Sequence, residues 1–248
     1  MTIPTMNTRA TVRSYADRPI DDALLDELLQ TACRASNTGN MQLYSIVVTR
    51  DAQVKQALAP CHFNQPQLTS APVVLTFCAD VNRYTQWCLQ RRAHPGFDNL
   101  QSLAYASIDA VIAAQTFCVA AEAAGLGICY LGTTTYTAGQ IVDVLHLPTL
   151  VMPMATVTVG WPAGPLQPCE RLPLEALVHA DVYHAYTPAD IDRLFAEKEA
   201  LPANRHYVEI NGKETLAQVF TDIRYTKKDN EAFSDTLVET LRRQGFLK

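Results

Sequence analysis

The chain has 248 residues, 48% of them hydrophobic and 18% charged, which is enough apolar material for a sizeable core and excludes a disordered chain. A formal net charge of -5 argues against nucleic acid as the main partner, because no basic excess exists to neutralise phosphates. The seven cysteines form no CxxC pair; several sit inside apolar runs, as buried free thiols do, and a reduced, cytoplasmic setting fits them.

In chain order, residues 1–19 read as an extended arm carrying Arg9, Arg13 and Arg18, with no apolar stretch of the kind a secretory signal needs. The spacing of Leu24, Leu25, Leu28 and Leu29 predicts a helix over Ile20–Arg34, with Asp21 and Asp22 suiting its N-terminal dipole. A polar loop, ASNTGNMQ, follows. Leu43–Thr49 reads as a strand, Asp51–Leu58 as a short helix and Cys61–Ser70 as a loop containing His62, Asn64 and Gln65. Pro72–Ala79 is apolar without alternation, the pattern of a buried strand. Asn82–Arg92 looks helical and leads into a linker through His94–Gly96.

The stretch around which the chain is organised is Gln101–Gly132. From Ser102 to Ala124 it is dominated by Ala, Ile, Val, Leu, Phe and Tyr, with apolar residues on every face, which predicts a fully buried helix. Asp109 and Glu122 interrupt it, so a membrane span is not expected. Ala113, Ala114, Ala120 and Ala121 leave room for another helix. Gly125 and Gly127 end it, and a short strand, Ile128–Leu131, delivers Gly132 and three threonines. Thr137–Leu145 then reads as a helix, Met152–Val159 as a strand, Ala163–Pro173 as a Pro-rich loop and Pro188–Ala200 as a polar helix. Leu201–Gly212 reads as irregular, with two helices to finish, Lys213–Asp222 and Asn230–Gln244. The last third is the most polar part and is expected to pack on a partner subunit.

The familiar site motifs are missing. Gly125-Leu126-Gly127 follows a helix rather than a strand and reads as a helix end, not a dinucleotide fingerprint. No P-loop, HExxH, EF-hand or GxSxG sequence appears. His179 and His184 stand five apart, unsuited to one helix face, so no metal site is expected. Cys61 and His62 are adjacent, but adjacency does not make a nucleophile–base pair, and both read as loop residues.

What remains is a set of separated polar elements, Arg9/Arg13, Asn37, Gln65, Gly132/Thr133 and Arg171. Together with their surroundings they resemble the FMN-dependent nitroreductases, in particular the oxygen-insensitive nitroreductase and flavin reductase group. Arg9-Ala10-Thr11-Val12-Arg13-Ser14-Tyr15 is similar to that group's opening H/R-R-S-I-R-x-F signature. Arg34–Gln42 resembles its Ser/Asn-rich loop ending in Gln, and Gln65 stands where a Gln precedes the second strand. Ala120–Gly132, AAEAAGLGICYLG, resembles its A-A-x-x-x-G-L-G-x-x-Y-I-G segment, the most specific match. Gly160-Trp161-Pro162 and Glu170-Arg171-Leu172-Pro173 resemble G-W-P…K-P-R-L-P.

The resemblance implies a single α+β domain over residues 1–248, a mixed central sheet flanked by helices, and a homodimer with the long central helix at its interface. Residues 187–248 are then a helical extension packing on the partner. It implies bound FMN, with NAD(P)H as co-substrate and nitroaromatic, quinone or similar small molecules as electron acceptors. Arg9, Arg13 and Arg171 are expected at the phosphate and ribityl chain, with Ala10 and Thr11 beside them. Asn37, Thr38 and Gln65 are expected at the ribityl chain and ring edge, and Tyr130, Leu131, Gly132 and Thr133 at the ring through their backbone. The chemistry is carried by FMN, so no protein acid or base is required. With one flavin pocket and no second nucleotide motif, a ping-pong mechanism is expected. Alternatives are an NAD(P)H:flavin reductase supplying reduced flavin and a non-enzymatic flavin-binding protein. The chain departs from the group at Arg9, where His is common, at Ala10, where Arg is common, and at Glu170, where Pro is common. Cys169 stands where a flavin-facing Lys is frequent, which leaves Lys213, Lys227 or Lys228 to substitute.

Overall fold

The computed structural model describes residues 6–248; the first five residues of the expected arm lie outside them. The chain divides into two compact units, one of residues 6–168 and 233–248, the other of residues 169–232.

The first unit is built on four strands, β1 Tyr44–Thr49, β2 Val73–Asp80, β3 Gly127–Leu131 and β4 Val151–Gly160, in the order β1-β2-β4-β3. Every adjacent pair is antiparallel, so the expected mixed sheet is corrected to an antiparallel one. The helices between adjacent strands are short. The β1–β2 connection carries α2 (Ala52–Leu58, 7 residues) and α3 (Pro66–Ser70, 5 residues), and Cys61–Ser70 is therefore not the plain loop expected. The β3–β4 connection carries α6 (Ala138–Val144, 7 residues). A seven-residue helix rises about 10 Å, well short of the roughly 25 Å of a strand such as β2, so none of them alone returns the chain to its starting edge.

On one sheet face lie α1 (Asp22–Ala32) and α5 (Leu100–Ala123). Leu25 and Leu28 of α1 meet Ala110, Ala113, Ala114, Phe117 and Ala121 of α5 over Leu75, Phe77 and Val157 of the sheet. The alanines of α5 thus admit α1 and the sheet. On the other face, Leu58, Leu68 and Ile141 pack on Val74, Cys129 and Leu131. A third cluster joins Leu43, Ala79 and Met152 to Leu241 and Phe246.

The α5 helix starts at Asn99, whose side chain accepts from Ser102 N–H at 2.9 Å. It ends in a Schellman turn. Gly125 takes φ +84°, its N–H donates to Glu122 C=O, and Leu126 N–H donates to Ala121 C=O. The helix is long and apolar enough to cross a membrane, yet ten of its residues are buried within the chain. Burial is one-sided rather than complete. Leu100, Ile108, Val111 and Ile112 stay exposed, an apolar stripe on the face away from the sheet.

The second unit contains α7 (Pro188–Ala200), α8 (Pro202–Ile210) and α9 (Leu216–Val219), followed by a wider helical turn over Phe220–Arg224. Leu201–Gly212, expected to be irregular, is helical because Pro202 begins α8, where its missing N–H costs nothing. The expected helix Lys213–Asp222 shrinks to α9, capped by a reciprocal Thr215–Gln218 box. The last helix, α10 (Lys227–Arg243), carries the chain back into the first unit. There Phe246 is 1% exposed and Gln244 donates to Pro148 and Val151 carbonyls at 2.8 and 2.6 Å. The final residues of the expected partner-packing extension are thus part of their own chain's core.

Candidate functional site

The N-terminal arm is fixed along β3 and β4 by small residues and two aromatics. Val12 N–H donates to Ile128 C=O at 3.0 Å, and Gly127 makes this possible, since a Cβ there would lie 2.4 Å from the Val12 side chain. The Tyr15 hydroxyl meets Val12 C=O at 2.9 Å and the Thr158 hydroxyl at 2.7 Å, while a Cβ on Gly160 would lie 2.6 Å from the Tyr15 ring. Trp161 donates to Pro19 C=O at 3.1 Å, and the Arg18 guanidinium stacks 3.7 Å over its ring. Two glycine-containing motifs, G-L-G and G-W-P, therefore seat the arm. With Ala10 and Val12 buried, Thr11 is half-buried and Arg13 emerges exposed.

Arg13 and Arg9 have different surroundings. Burial pushes the Cys129 thiol up from its ordinary pKa, and the positive charge of Arg13 pulls the other way. Gln67 donates to the Gln65 side-chain oxygen at 2.6 Å. Arg9 instead forks onto Glu122 of α5, with Nε 3.1 and 3.2 Å from the two carboxylate oxygens and Nη2 3.0 Å from one. Its charge is thus matched by a carboxylate of the same chain.

The polar loop before β1 is anchored from below. Asp109, 1% exposed on α5, accepts from Thr38 N–H at 2.8 Å, the Thr38 hydroxyl at 3.0 Å and Leu43 N–H at 3.3 Å. Asn37 accepts from Gln42 N–H at 3.0 Å. Asn40 and Gln42 both take positive φ, so the loop is tightly folded. Asn37 and Thr38 therefore spend side-chain oxygens on building the loop.

At the end of β3, Tyr130 is 37% exposed and its hydroxyl meets the Cys118 thiol. Burial raises both groups, Cys118 to about 12. Leu131 is buried, Gly132 is exposed, and a Cβ on Gly132 would meet nothing within 4 Å. Thr133 turns inward, its hydroxyl 2.8 Å from Nδ1 of the fully buried His62.

Cys169 and Arg171 belong to the second unit. Both are exposed, and Arg171 donates to the carbonyls of Cys169 and Glu170 at 3.2 and 2.8 Å. Lys213 pairs with Asp222 at 2.9 Å and Lys227 with Glu231 at 3.6 Å. No cluster of metal-ligating residues occurs among the described residues. His179 accepts from His184 N–H at 3.2 Å and meets the Tyr186 hydroxyl at 3.1 Å.

Asp109, Gln67, Glu122 and His62 emerge from the structure rather than from the sequence. Asp109 had the clearest signal, an acid in the middle of an apolar helix.

Residues 6–161 match the family model described as the Nitroreductase family. The oxygen-insensitive NADPH nitroreductase of Salmonella typhimurium is 30% identical over 247 residues, covering 99% of this chain and 98% of that protein. The FMN reductase (NADPH) of Bacillus subtilis is 32% identical over 188 residues, 75% of this chain and 76% of that one. A crystal structure of a Bacteroides fragilis protein superposes with a TM-score of 0.98 at 56% identity, covering 99% of this chain and 100% of that one.

Proposed function

This chain belongs to the Nitroreductase family, and on that premise we propose that it is an FMN-dependent enzyme passing reducing equivalents from NAD(P)H to nitroaromatic, quinone or similar acceptors. The names of its relatives, an NADPH nitroreductase and an FMN reductase, support this. When bound, FMN supplies the two-electron chemistry that links a nicotinamide to an acceptor.

The residues present fit that group. The observation that carries the reading is the amide pair Gln67–Gln65 at 2.6 Å, together with the exposed Arg13 on the arm that Val12 pins to β3. A guanidinium suits phosphate oxygens and amides suit the polar edge of a flavin ring. Gly132 leaves main chain open for a flat ligand to approach. In this reading Arg13 holds the phosphate, and Ala10 and Thr11 shape the arm beside it. Gln65, with Asn37 and Thr38 in the loop that Asp109 braces, orients the polar edge. Backbone groups of Tyr130–Thr133 line the ring. Arg9 serves the arm rather than the phosphate.

The exposed stripe of Leu100, Ile108, Val111 and Ile112 supports a homodimer through α5. Seven free cysteines support a reducing, cytoplasmic location. The test of the whole reading is an absorption spectrum of the purified protein before and after anaerobic NADH and NADPH. A yellow protein bleached by one or both is expected; a colourless one, or a flavin that neither bleaches, overturns it. The flavin reductase reading, favoured by the B. subtilis relative, predicts that FMN is lost during turnover instead of retained.

A further inference from the structure

Two loops of the proposed flavin site are joined beneath the surface. The turn Pro60–His62 is followed by Phe63 and Asn64 at φ +53° and +54°, a sharp left-handed corner. Gln65 N–H closes that corner onto His62 C=O at 3.1 Å. The backbone of His62 thus places Gln65, and its ring reaches the other loop, where Nδ1 lies 2.8 Å from the Thr133 hydroxyl. A second link runs parallel, from the Thr137 hydroxyl to Cys61 C=O. Residues 61 and 62 therefore tie the corner bearing Gln65 to the turn that follows exposed Gly132.

The His62 ring is more polar than its place requires for packing alone. It is fully buried and its Nε2 has no hydrogen-bond partner. The hydroxyls of Thr76 and Thr156, opposite one another on β2 and β4, are likewise buried and unpartnered. An orphaned ring nitrogen costs stability, so an aromatic hydrocarbon would pack there at lower cost unless Nδ1 did something useful.

We propose that His62 is a positioning residue for the flavin: its hydrogen bond to Thr133 holds the Gly132–Thr133 main chain and Gln65 at the fixed separation that the bound ring needs. The proposal rests on the flavin-site reading above. His62 touches neither flavin nor substrate in this assignment; it acts through Thr133 on one side and Gln65 on the other.

The test measures FMN released on dilution of the flavin-loaded full-length protein, by flavin fluorescence, with circular dichroism and thermal melting recorded in parallel. His62→Phe keeps a buried ring but removes the bond, whereas His62→Asn is smaller but retains a polar group near the Nδ1 position. Thr133→Val removes the bond from the other side. Losing one neutral hydrogen bond is expected to weaken FMN retention by roughly tenfold in His62→Phe and in Thr133→Val. The double variant is expected to be no worse than either single one, and His62→Asn to retain most of the affinity. If His62 only fills space, the order reverses: His62→Phe binds FMN like the parent and His62→Asn is the damaged one. That result, or losses that multiply in the double variant, overturns the proposal. Should His62→Phe fail to fold, Thr133→Val decides alone, with unchanged FMN retention as the negative result. Arg13→Ala separates the two levels of inference. If it loses FMN while His62→Phe and Thr133→Val do not, only the positioning role fails; if Arg13→Ala also retains FMN, the flavin-site reading fails with it.

Discussion

The carboxylate of Asp109 accepts both the N–H and the hydroxyl of Thr38, at 2.8 and 3.0 Å, from a position 1% exposed on α5. A buried acid in an alanine-rich helix thus fixes the start of a surface loop 71 residues earlier. Asp109→Asn replaces one acceptor oxygen by a donor, leaving buried N–H or O–H groups facing another donor. A loss of about 2 kcal/mol is expected in urea unfolding at neutral pH, as for hydrogen bonds to charged groups. Unchanged stability would show that the loop stands without this anchor.

The two arm arginines should behave differently. Arg13→Ala is expected to weaken FMN binding by about 1.5–3 kcal/mol, the range of a charge-assisted contact. Arg9→Ala, whose guanidinium is taken by Glu122, should change FMN affinity only severalfold. Equilibrium titration of the two variants checks this; an Arg9 effect as large as that of Arg13 would return Arg9 to the phosphate.

The faces of α5 give a graded test of assembly. Ala114 is fully buried inside the chain, so Ala114→Lys should unfold the subunit by burying a charge. Ile108 and Val111 are 57% and 45% exposed in the single chain. Ile108→Lys or Val111→Lys should therefore leave secondary structure intact and convert a dimer to monomer in sedimentation. Flavin-loaded monomers in the unmodified protein would remove the basis for assigning this stripe to a dimer.

The elements of this fold could be read from the sequence wherever one pattern had one meaning. Leu24, Leu25, Leu28 and Leu29 can share a buried face only as a helix, and VVLTFCAD fits a strand covered on both sides. The inner face of α5 could not be chosen, because Ile108 and Ala110 are equally apolar in the sequence while only one meets the sheet. Leu201–Gly212 read as irregular, whereas Pro202 within it starts a helix. Candidate site residues could be named from the sequence, but their partners could not. Arg9 and Glu122 are 113 positions apart, and nothing local to either announces the pair. The direction of the strands was hidden for the same reason, since it depends on how far each connection travels and not on strand composition.

Stability should depend on pH through His62. Burial lowers its pKa from 6.5 to about 4. Below about pH 6.5 the unfolded chain takes up this proton while the folded chain does not, so unfolding gains from acid. The contribution is complete above that pH and is lost progressively as pH falls toward 4. Between pH 7.5 and 5 the loss from this one group is about 2 kcal/mol. Urea midpoints of the parent should therefore fall more steeply over that interval than those of His62→Asn, which has no such proton to bind. Parallel pH profiles for the two proteins would mean that the folded protein accommodates the charged ring.

The order of substrate binding follows from the proposed flavin site, in which Arg13, Gln65 and the open Gly132 main chain serve one ring. The chain has no second nucleotide fingerprint, and its G-x-G is occupied in ending α5 and seating Val12. NAD(P)H and acceptor are therefore expected to use the same exposed face in turn, with the oxidised nucleotide leaving before the acceptor arrives. The protein's contribution is then to hold the stacking distance and limit water, not to donate or remove protons by a dedicated side chain. Initial rates at several acceptor concentrations should give parallel double-reciprocal lines, and each substrate should inhibit at high concentration by occupying the form meant for the other. Replacing Gly132 by Val should raise KM for both substrates together, because each must approach the same strip of main chain. Intersecting lines, or a Gly132→Val variant impaired toward one substrate alone, would require two separate pockets and exclude the one-site mechanism.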